Sequence, residues 1–281
     1  MKKYGKYVRM GNMKILFTDL DGTLLTTDKR ISDADLASIR EMTAKGHRFV
    51  IASGRPLPSV LKLAASYDLI VPGFYVSCFN GSLIYDCYEQ RKIQEITVSY
   101  EQAEYIFDEA RKEGLHVHTY SDTHVIADHD TEEFRYYLDH IHMPGIVDPD
   151  FGKHMTHPPC KLIVMSFVSR NLLEDFRKRH SAWQEGKLDY TYSCDYMLEY
   201  TAKGASKGGT VKAMCEFFGI PLSDAIAVGD EENDISMIEA AGIGVAMQNA
   251  TETVKSRADY ITECDNNHDA ITEVIRKFIL P

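Results

Sequence analysis

Asp19 and Asp21 stand two residues apart in Phe17-Thr18-Asp19-Leu20-Asp21-Gly22-Thr23-Leu24-Leu25, directly beyond the apolar run Ile15-Leu16-Phe17. A strand sends alternate side chains to one side, so both carboxylates can face the same way at its carboxyl end. Open α/β sheets bind ligands at that end. Gly22 permits an unusual backbone after the pair, and Thr23 adds a hydroxyl. A solvated turn would account for such a pair standing alone. A second acidic segment, Val228-Gly229-Asp230-Glu231-Glu232-Asn233-Asp234, also follows an apolar strand. Glu231 and Glu232 fit as helix-start charges that complement the helix dipole. Asp230 and Asp234 crowd the edge already occupied by Asp19 and Asp21. They would repel unless a hard divalent cation neutralised them, and oxygen donors of this kind suit magnesium.

Two further segments supply the opposite character. Ser53-Gly54-Arg55 offers a hydroxyl and backbone N–H groups where an anion can dock. Lys207 lies in Gly204-Ala205-Ser206-Lys207-Gly208-Gly209, which does not fit the nucleotide-binding loop pattern. On its own Lys207 would read as an exposed helix-start lysine. Four pieces, each tied to a strand end or a helix start, make a site for a small anion beside a divalent cation.

The elements that must position these residues follow from hydrophobic period and turn residues. Ile15–Phe17, Phe49–Ala52 and Phe74–Ser77 read as buried strands. Between them lie a helix opened by Ser32 and Asp35 in capping-box spacing and closed by Gly46, and a helix through Val60, Leu61 and Ala64. Asn80-Gly81 signals a hairpin. The same rhythm returns near the C-terminus: a helix from Val211 to Gly219, strands at Ala225–Val228 and Ile243–Ala246, and a helix over Ile235–Ala241. A helix around Lys255, a strand at Tyr260–Thr262 and a last helix through Ile271 and Phe278 complete it. This alternation predicts a doubly wound parallel sheet. From about Asp86 to about Asp195 the strands lengthen and alternate with polar residues: Ile93–Val98, Leu115–Ile126, Lys161–Val168 and Tyr190–Leu198. Helices are expected at Glu101–Lys112, Glu132–Ile141 and Leu172–His180. Such alternation predicts an antiparallel sheet with one solvated or cleft-facing side, an α+β module inserted into the α/β domain.

Composition sets the bounds. The 281 residues are 44% hydrophobic and 26% charged, an ordinary globular balance for one large or two moderate domains. A net charge of -11 without a basic cluster argues against nucleic acid as partner. No apolar run is long enough to span a bilayer, so no membrane partner is expected. The N-terminal stretch lacks the apolar segment of a signal peptide, and a start at Met13 would leave residues 1–12 as a disordered leader. The six scattered cysteines read as thiols in a reducing cytoplasm. Histidines 116, 118, 124, 129, 140 and 142 lack a metal-ligand spacing, and Trp183 reads as packing.

The segments Asp19–Leu24, Ser53–Arg55, Asn80-Gly81, Lys207, Gly229–Asp234 and Val245–Thr262 together make the chain resemble the haloacid dehalogenase-like superfamily, and within it the Cof-type or type IIB sugar phosphatases. That resemblance implies a Rossmann-like core over 1–85 and 198–281 with an inserted cap over 86–197. It implies Asp19 as the nucleophile that forms an aspartyl-phosphate and Asp21 as acid and then base. It implies Mg2+ held by Asp19, the Asp21 carbonyl and Asp230, with Asp234 as an indirect ligand. Ser53, Gly54, Lys207 and Asn233 would hold the phosphoryl group. The expected substrate is a small phosphorylated metabolite such as a sugar phosphate, and the expected assembly a monomer or small homo-oligomer. Two rivals remain on the sequence: a phosphosugar mutase using the same intermediate, and an inactive phosphometabolite sensor. The intact set Asp19, Asp21, Lys207 and Asp230 speaks against the sensor.

Overall fold

The computed structural model describes residues 13–141, 143–150, 155 and 157–280. The leader over residues 1–12 and His142 lie outside the described residues. In chain order the first part holds β1 (Ile15–Thr18), α1 (Asp33–Ala44), β2 (Arg48–Ala52), α2 (Leu57–Ser66), β3 (Phe74–Cys78), β4 (Leu83–Asp86) and β5 (Arg91–Glu95). Next come α3 (Tyr100–Lys112), β6 (His116–Tyr120), β7 (Val125–Ala127), α4 (Glu132–Ile141), β8 (Gly145–Val147), β9 (Lys161–Met165), α5 (Arg170–Gln184), β10 (Leu188–Cys194) and β11 (Met197–Ala202). The chain closes with α6 (Lys207–Phe218), β12 (Ala225–Gly229), α7 (Ile235–Ala240), β13 (Ile243–Ala246), α8 (Glu252–Lys255), β14 (Tyr260–Ile261) and α9 (Ala270–Phe278).

The first sheet runs β14-β13-β12-β1-β2-β3-β4-β5. Its pairings are parallel from β14 to β3, and β4 and β5 extend it antiparallel. The chain moves outward from β1 through β2 and β3, then returns to lay β12 on the other side of β1, with Thr18 opposite Val228. The gap between β1 and β12 is therefore the topological switch point, where crevices open at the strands' carboxyl ends. Alternation distributes β1 between two helical layers. Leu16 joins the cluster with Ile39, Val60 and Ile271 from α1, α2 and α9. Ile15 and Phe17 join Val211, Met214 and Met237 from α6 and α7. Asp19 continues the alternation of Phe17, toward the layer that holds the start of α6.

The second sheet runs β10-β11-β9-β6-β7-β8. Leu162, Val164, Leu198 and Tyr200 on one face pack under Phe107 of α3 and Phe176 of α5. Lys161, Ile163, Glu199 and Thr201 share the opposite face, since Lys161 pairs with Thr201 and Ile163 with Glu199. The α/β core with an inserted second sheet is the architecture expected, with four corrections. The strand expected at Ile93–Val98 in the inserted module is β5, an edge strand of the first sheet whose half-exposed alternation mimics the module's. The first sheet thus runs on to Glu95 and the second to Ala202. The long strands expected at 115–126 and 190–198 are each broken. In the first, the Ser121 hydroxyl accepts from the N–H groups of Thr123 and His124 and bends the chain back. The second sheet is mixed rather than antiparallel, because β8 lies parallel to β7. The capping box at Ser32 is only half made: Ser32 accepts from the Asp35 N–H at 3.1 Å, but the Asp35 carboxylate turns to Thr272, 2.7 and 2.8 Å away.

Candidate active site

β1 delivers Asp19 to the switch point, where its N–H donates to the Val228 carbonyl at 2.9 Å. Lys207 opens α6, and its helix start is fixed by Ser206, whose hydroxyl accepts from the Gly209 N–H at 2.9 Å. The Lys207 ammonium, 1% exposed, donates to Asp19 Oδ1 at 2.5 Å and Asp234 Oδ1 at 2.6 Å. Asp234 spends its other oxygen on the N–H groups of Asp230 and Glu231, at 3.0 and 3.1 Å, folding the turn after β12 around itself. Asp230 accepts from the Thr23 hydroxyl at 2.6 Å. Gly22 has φ +85°, and a Cβ there would lie 2.4 Å from Asp230 Oδ2, so this turn requires glycine twice over.

One oxygen from each of Asp19, Asp230 and Asp234 lies within 4.8 Å of the others. Burial pushes the Asp19 carboxyl up to about 8 against the pull of Lys207, with Asp234 adding to the rise. Burial likewise pushes Asp230 up to about 6 despite the Thr23 hydroxyl. Burial alone would lower Lys207, yet Asp19 and Asp234 hold it above the ordinary lysine range. Three buried carboxylates share one ammonium, so two negative charges are left uncompensated when all are ionised. That surplus and the all-oxygen donor set fit a hard divalent cation.

Asp21 is placed differently. Its carboxylate accepts from Arg55 Nε at 2.8 Å and Nη2 at 2.7 Å, and from Lys29 Nζ at 2.8 Å. Burial opposes ionisation, but Arg55 and Lys29 hold the group below the ordinary carboxylate range. Ser53, buried, accepts from the Arg55 N–H at 3.2 Å. Ser53, Gly54, Asp19, Asp21 and Asn233 all line a cavity of about 420 Å³ between the two sheets, walled opposite by Tyr136, Tyr192 and Tyr196. Lys207 stands behind Asp19 and reaches this cavity through it. The inserted module adds Lys161 and Glu199 to the wall, 2% and 5% exposed, which sequence reasoning did not single out. The available signal was a charged residue at the head of the apolar strand Lys161–Met165 and another flanked by Leu198 and Tyr200. His116 and His118 are buried against each other at 2.9 Å, and Trp183 stacks on Tyr105.

The sequence profile of the haloacid dehalogenase-like hydrolases matches residues 16–275. The chain belongs to the haloacid dehalogenase-like hydrolase family. A Streptococcus pyogenes protein is 30% identical to this hydrolase over 275 residues, covering 96% of this chain and 99% of its own. The 5-amino-6-(5-phospho-D-ribitylamino)uracil phosphatase of Bacillus subtilis is 29% identical over 277 residues, covering 96% and 97%. Among solved structures, a haloacid dehalogenase-like hydrolase from Bacteroides thetaiotaomicron superposes with a TM-score of 0.86 at 29% identity, covering 94% of this chain and 99% of that one. The inserted mixed sheet is the cap of the Cof-type, subclass IIB branch. This hydrolase is a phosphatase acting on small phosphate esters. Among the described residues no helix is long and apolar enough to cross a membrane.

Proposed function

We propose that the enzyme hydrolyses phosphate monoesters of sugars or related small metabolites in two steps through an aspartyl-phosphate on Asp19. The observation that carries this reading is Asp19 itself: a buried carboxylate pinned through one oxygen by Lys207, at the mouth of a cavity that also holds Asp21. In the first step the Asp19 oxygen attacks phosphorus, the ester P–O bond breaks, and Asp21 passes a proton to the departing oxygen. In the second, Asp21 takes a proton from water, which attacks phosphorus and frees phosphate with the Asp19 carboxylate restored. Dividing the reaction lowers each barrier. In the conformation seen, Asp21 is ionised and clamped, so its first proton transfer requires release from Arg55 as substrate arrives.

Ser53, the Gly54 N–H, Lys207 and Asn233 would orient the phosphoryl oxygens. Asp19, Asp230 and the Asp21 carbonyl would hold Mg2+. Asp234, both of whose oxygens are already engaged, would support it from behind. Bound there, the cation supplies positive charge to the transferring group and keeps the nucleophile ionised. The name of the Bacillus relative joins a phosphorylated ribityl chain to uracil, which supports a sugar-like phosphate ester as the substrate class.

The test is phosphate release from sugar phosphates, nucleotides and cofactor phosphates with and without magnesium. Asp19→Asn is expected to lose activity by at least about a thousandfold while keeping its melting temperature. Undiminished turnover in that variant would remove Asp19 as nucleophile.

A further inference from the structure

Three consecutive carbonyls of the turn after β2 are tied back. The Ser53 carbonyl accepts from the Asn80 N–H at 3.1 Å and the Arg55 carbonyl from the Phe79 N–H at 3.2 Å. Both donors belong to the β3–β4 turn of the core. The Gly54 carbonyl accepts instead from Lys161 Nζ at 2.9 Å, a residue of the cap. Lys161 is paired with Glu199 at 3.2 Å, its diagonal neighbour on β11. Glu199 in turn accepts from Asn80 Nδ2 at 2.7 Å, so the pair grips the core at both sides of the turn. Asn80 sits at φ 56°, a left-handed conformation that the surrounding contacts must sustain. Among the described residues the Gly54 N–H makes no hydrogen bond within the chain. It is the donor proposed above for a phosphoryl oxygen.

We propose that Lys161 is a positioning residue through which the cap completes the phosphate-binding turn. The Gly54–Arg55 peptide is planar and trans, so holding its carbonyl toward Lys161 fixes the opposite direction of the Arg55 N–H, which donates to Ser53. It also limits rotation of the Gly54 backbone, glycine being the residue least restrained by its own side chain. Were the cap to leave the core, this tie would be lost and the turn would keep only its two core donors. Seating of the cap and ordering of the phosphate site would then be one event. Glu199 neutralises the buried ammonium and aligns it, because an unpaired buried charge would not be tolerated. The inference rests on the phosphatase reading, but it concerns the phosphate end of the substrate and not the leaving group.

The experiment uses Lys161→Met/Glu199→Gln, which removes the ammonium without stranding a buried carboxylate and leaves Asn80 an acceptor. Lys161→Gln serves if the pair variant does not fold, and Lys161→Arg is the rescue. Binding of inorganic phosphate in magnesium buffer is measured by calorimetry, and kcat and KM are measured for a hexose phosphate and an aryl phosphate. Loss of one hydrogen bond from a charged donor predicts phosphate binding weakened about tenfold. kcat/KM is expected to fall by a similar factor for both substrates, with Lys161→Arg restoring most of each. Unchanged phosphate affinity in the folded variant overturns the proposal. So does a loss confined to one substrate, which would make Lys161 a leaving-group contact. Absence of phosphate release by the wild type would sink the phosphatase reading instead, while the calorimetric comparison would still decide the role of Lys161.

Discussion

A single residue, Leu20, separates Asp19 from Asp21, yet the fold gives their carboxylates opposite surroundings. Asp19 is buried among like charges with one lysine, and Asp21 is clamped by Arg55 and Lys29 at the cavity rim. Gly22 between this pair and Thr23 is what lets Asp230 approach. Gly22→Ala would drive a Cβ into Asp230 Oδ2 at a positive φ, with strain on the order of 1–3 kcal/mol. The expected result is a folded protein with a lowered melting temperature and phosphate release reduced at least about tenfold. Activity and melting temperature both unchanged would mean the turn relaxes freely. At this scale the sequence was legible in the combination of pieces and not in any one of them. Asp19, Asp230, Asp234 and Lys207 each have an ordinary reading alone, but acidic residues at two strand ends and a helix-start lysine in this order converge on one cluster. Lys161 and Glu199 were not legible, because a single charge in an apolar strand reveals its purpose only when the strand's partner is known. The clamp of Arg55 on Asp21 was equally hidden, since side-chain pairing across 34 residues leaves no local mark.

Elements place these residues through turns more than through their bodies. The β3–β4 turn takes positive φ at Phe79, Asn80 and Gly81 in succession, a four-residue connection where the Asn-Gly pair alone suggested a tighter one. A Cβ on Gly81 would lie 2.2 Å from the Ser206 carbonyl oxygen, against the start of α6. Gly81→Ala is therefore expected to push the helix that carries Lys207, destabilising the protein by a few kcal/mol, about 2 or more. Urea unfolding with an unchanged midpoint would show that α6 yields without cost. The core elements were readable because buried parallel strands are short, apolar and separated by capped helices. The cap was read less well. Its strands are interrupted by side-chain-to-backbone turns such as that at Ser121, and its first expected strand is an edge of the core sheet, where half-exposure imitates the cap's own alternation.

The whole molecule also carries a pH dependence that the site does not explain. Burial lowers His116 to about 4, and burial with His116 nearby holds His118 well below the ordinary histidine range. Both are therefore neutral in the fold, while the unfolded chain binds protons as pH falls through about 6.5. At these two histidines the unfolded state then holds more protons, so their contribution to stability is lost as pH falls from about 6.5 toward 4, while the raised carboxyls of Asp19 and Asp230 act in the opposite direction. Comparing urea midpoints of wild type and His116→Gln should show the wild type losing about 2 kcal/mol relative to the variant between pH 7 and pH 5. A difference constant with pH would mean that His116 titrates alike in the folded and unfolded chains.

The cap enters after β5 and leaves before α6 as one uninterrupted stretch, so it joins the core at only two crossings and could be exchanged whole. Tyr136 and Tyr196, which wall the cavity, hydrogen-bond each other and not the carboxylates, so the core places no hydrogen-bond demand on them under such exchange. The lysine and glutamate on β9 and β11 cannot drift so freely if the turn beneath them depends on their grip. Novelty in substrate would then accumulate around a fixed two-residue signature, and a cap borrowed from a relative would serve this core only if it brought that signature in register.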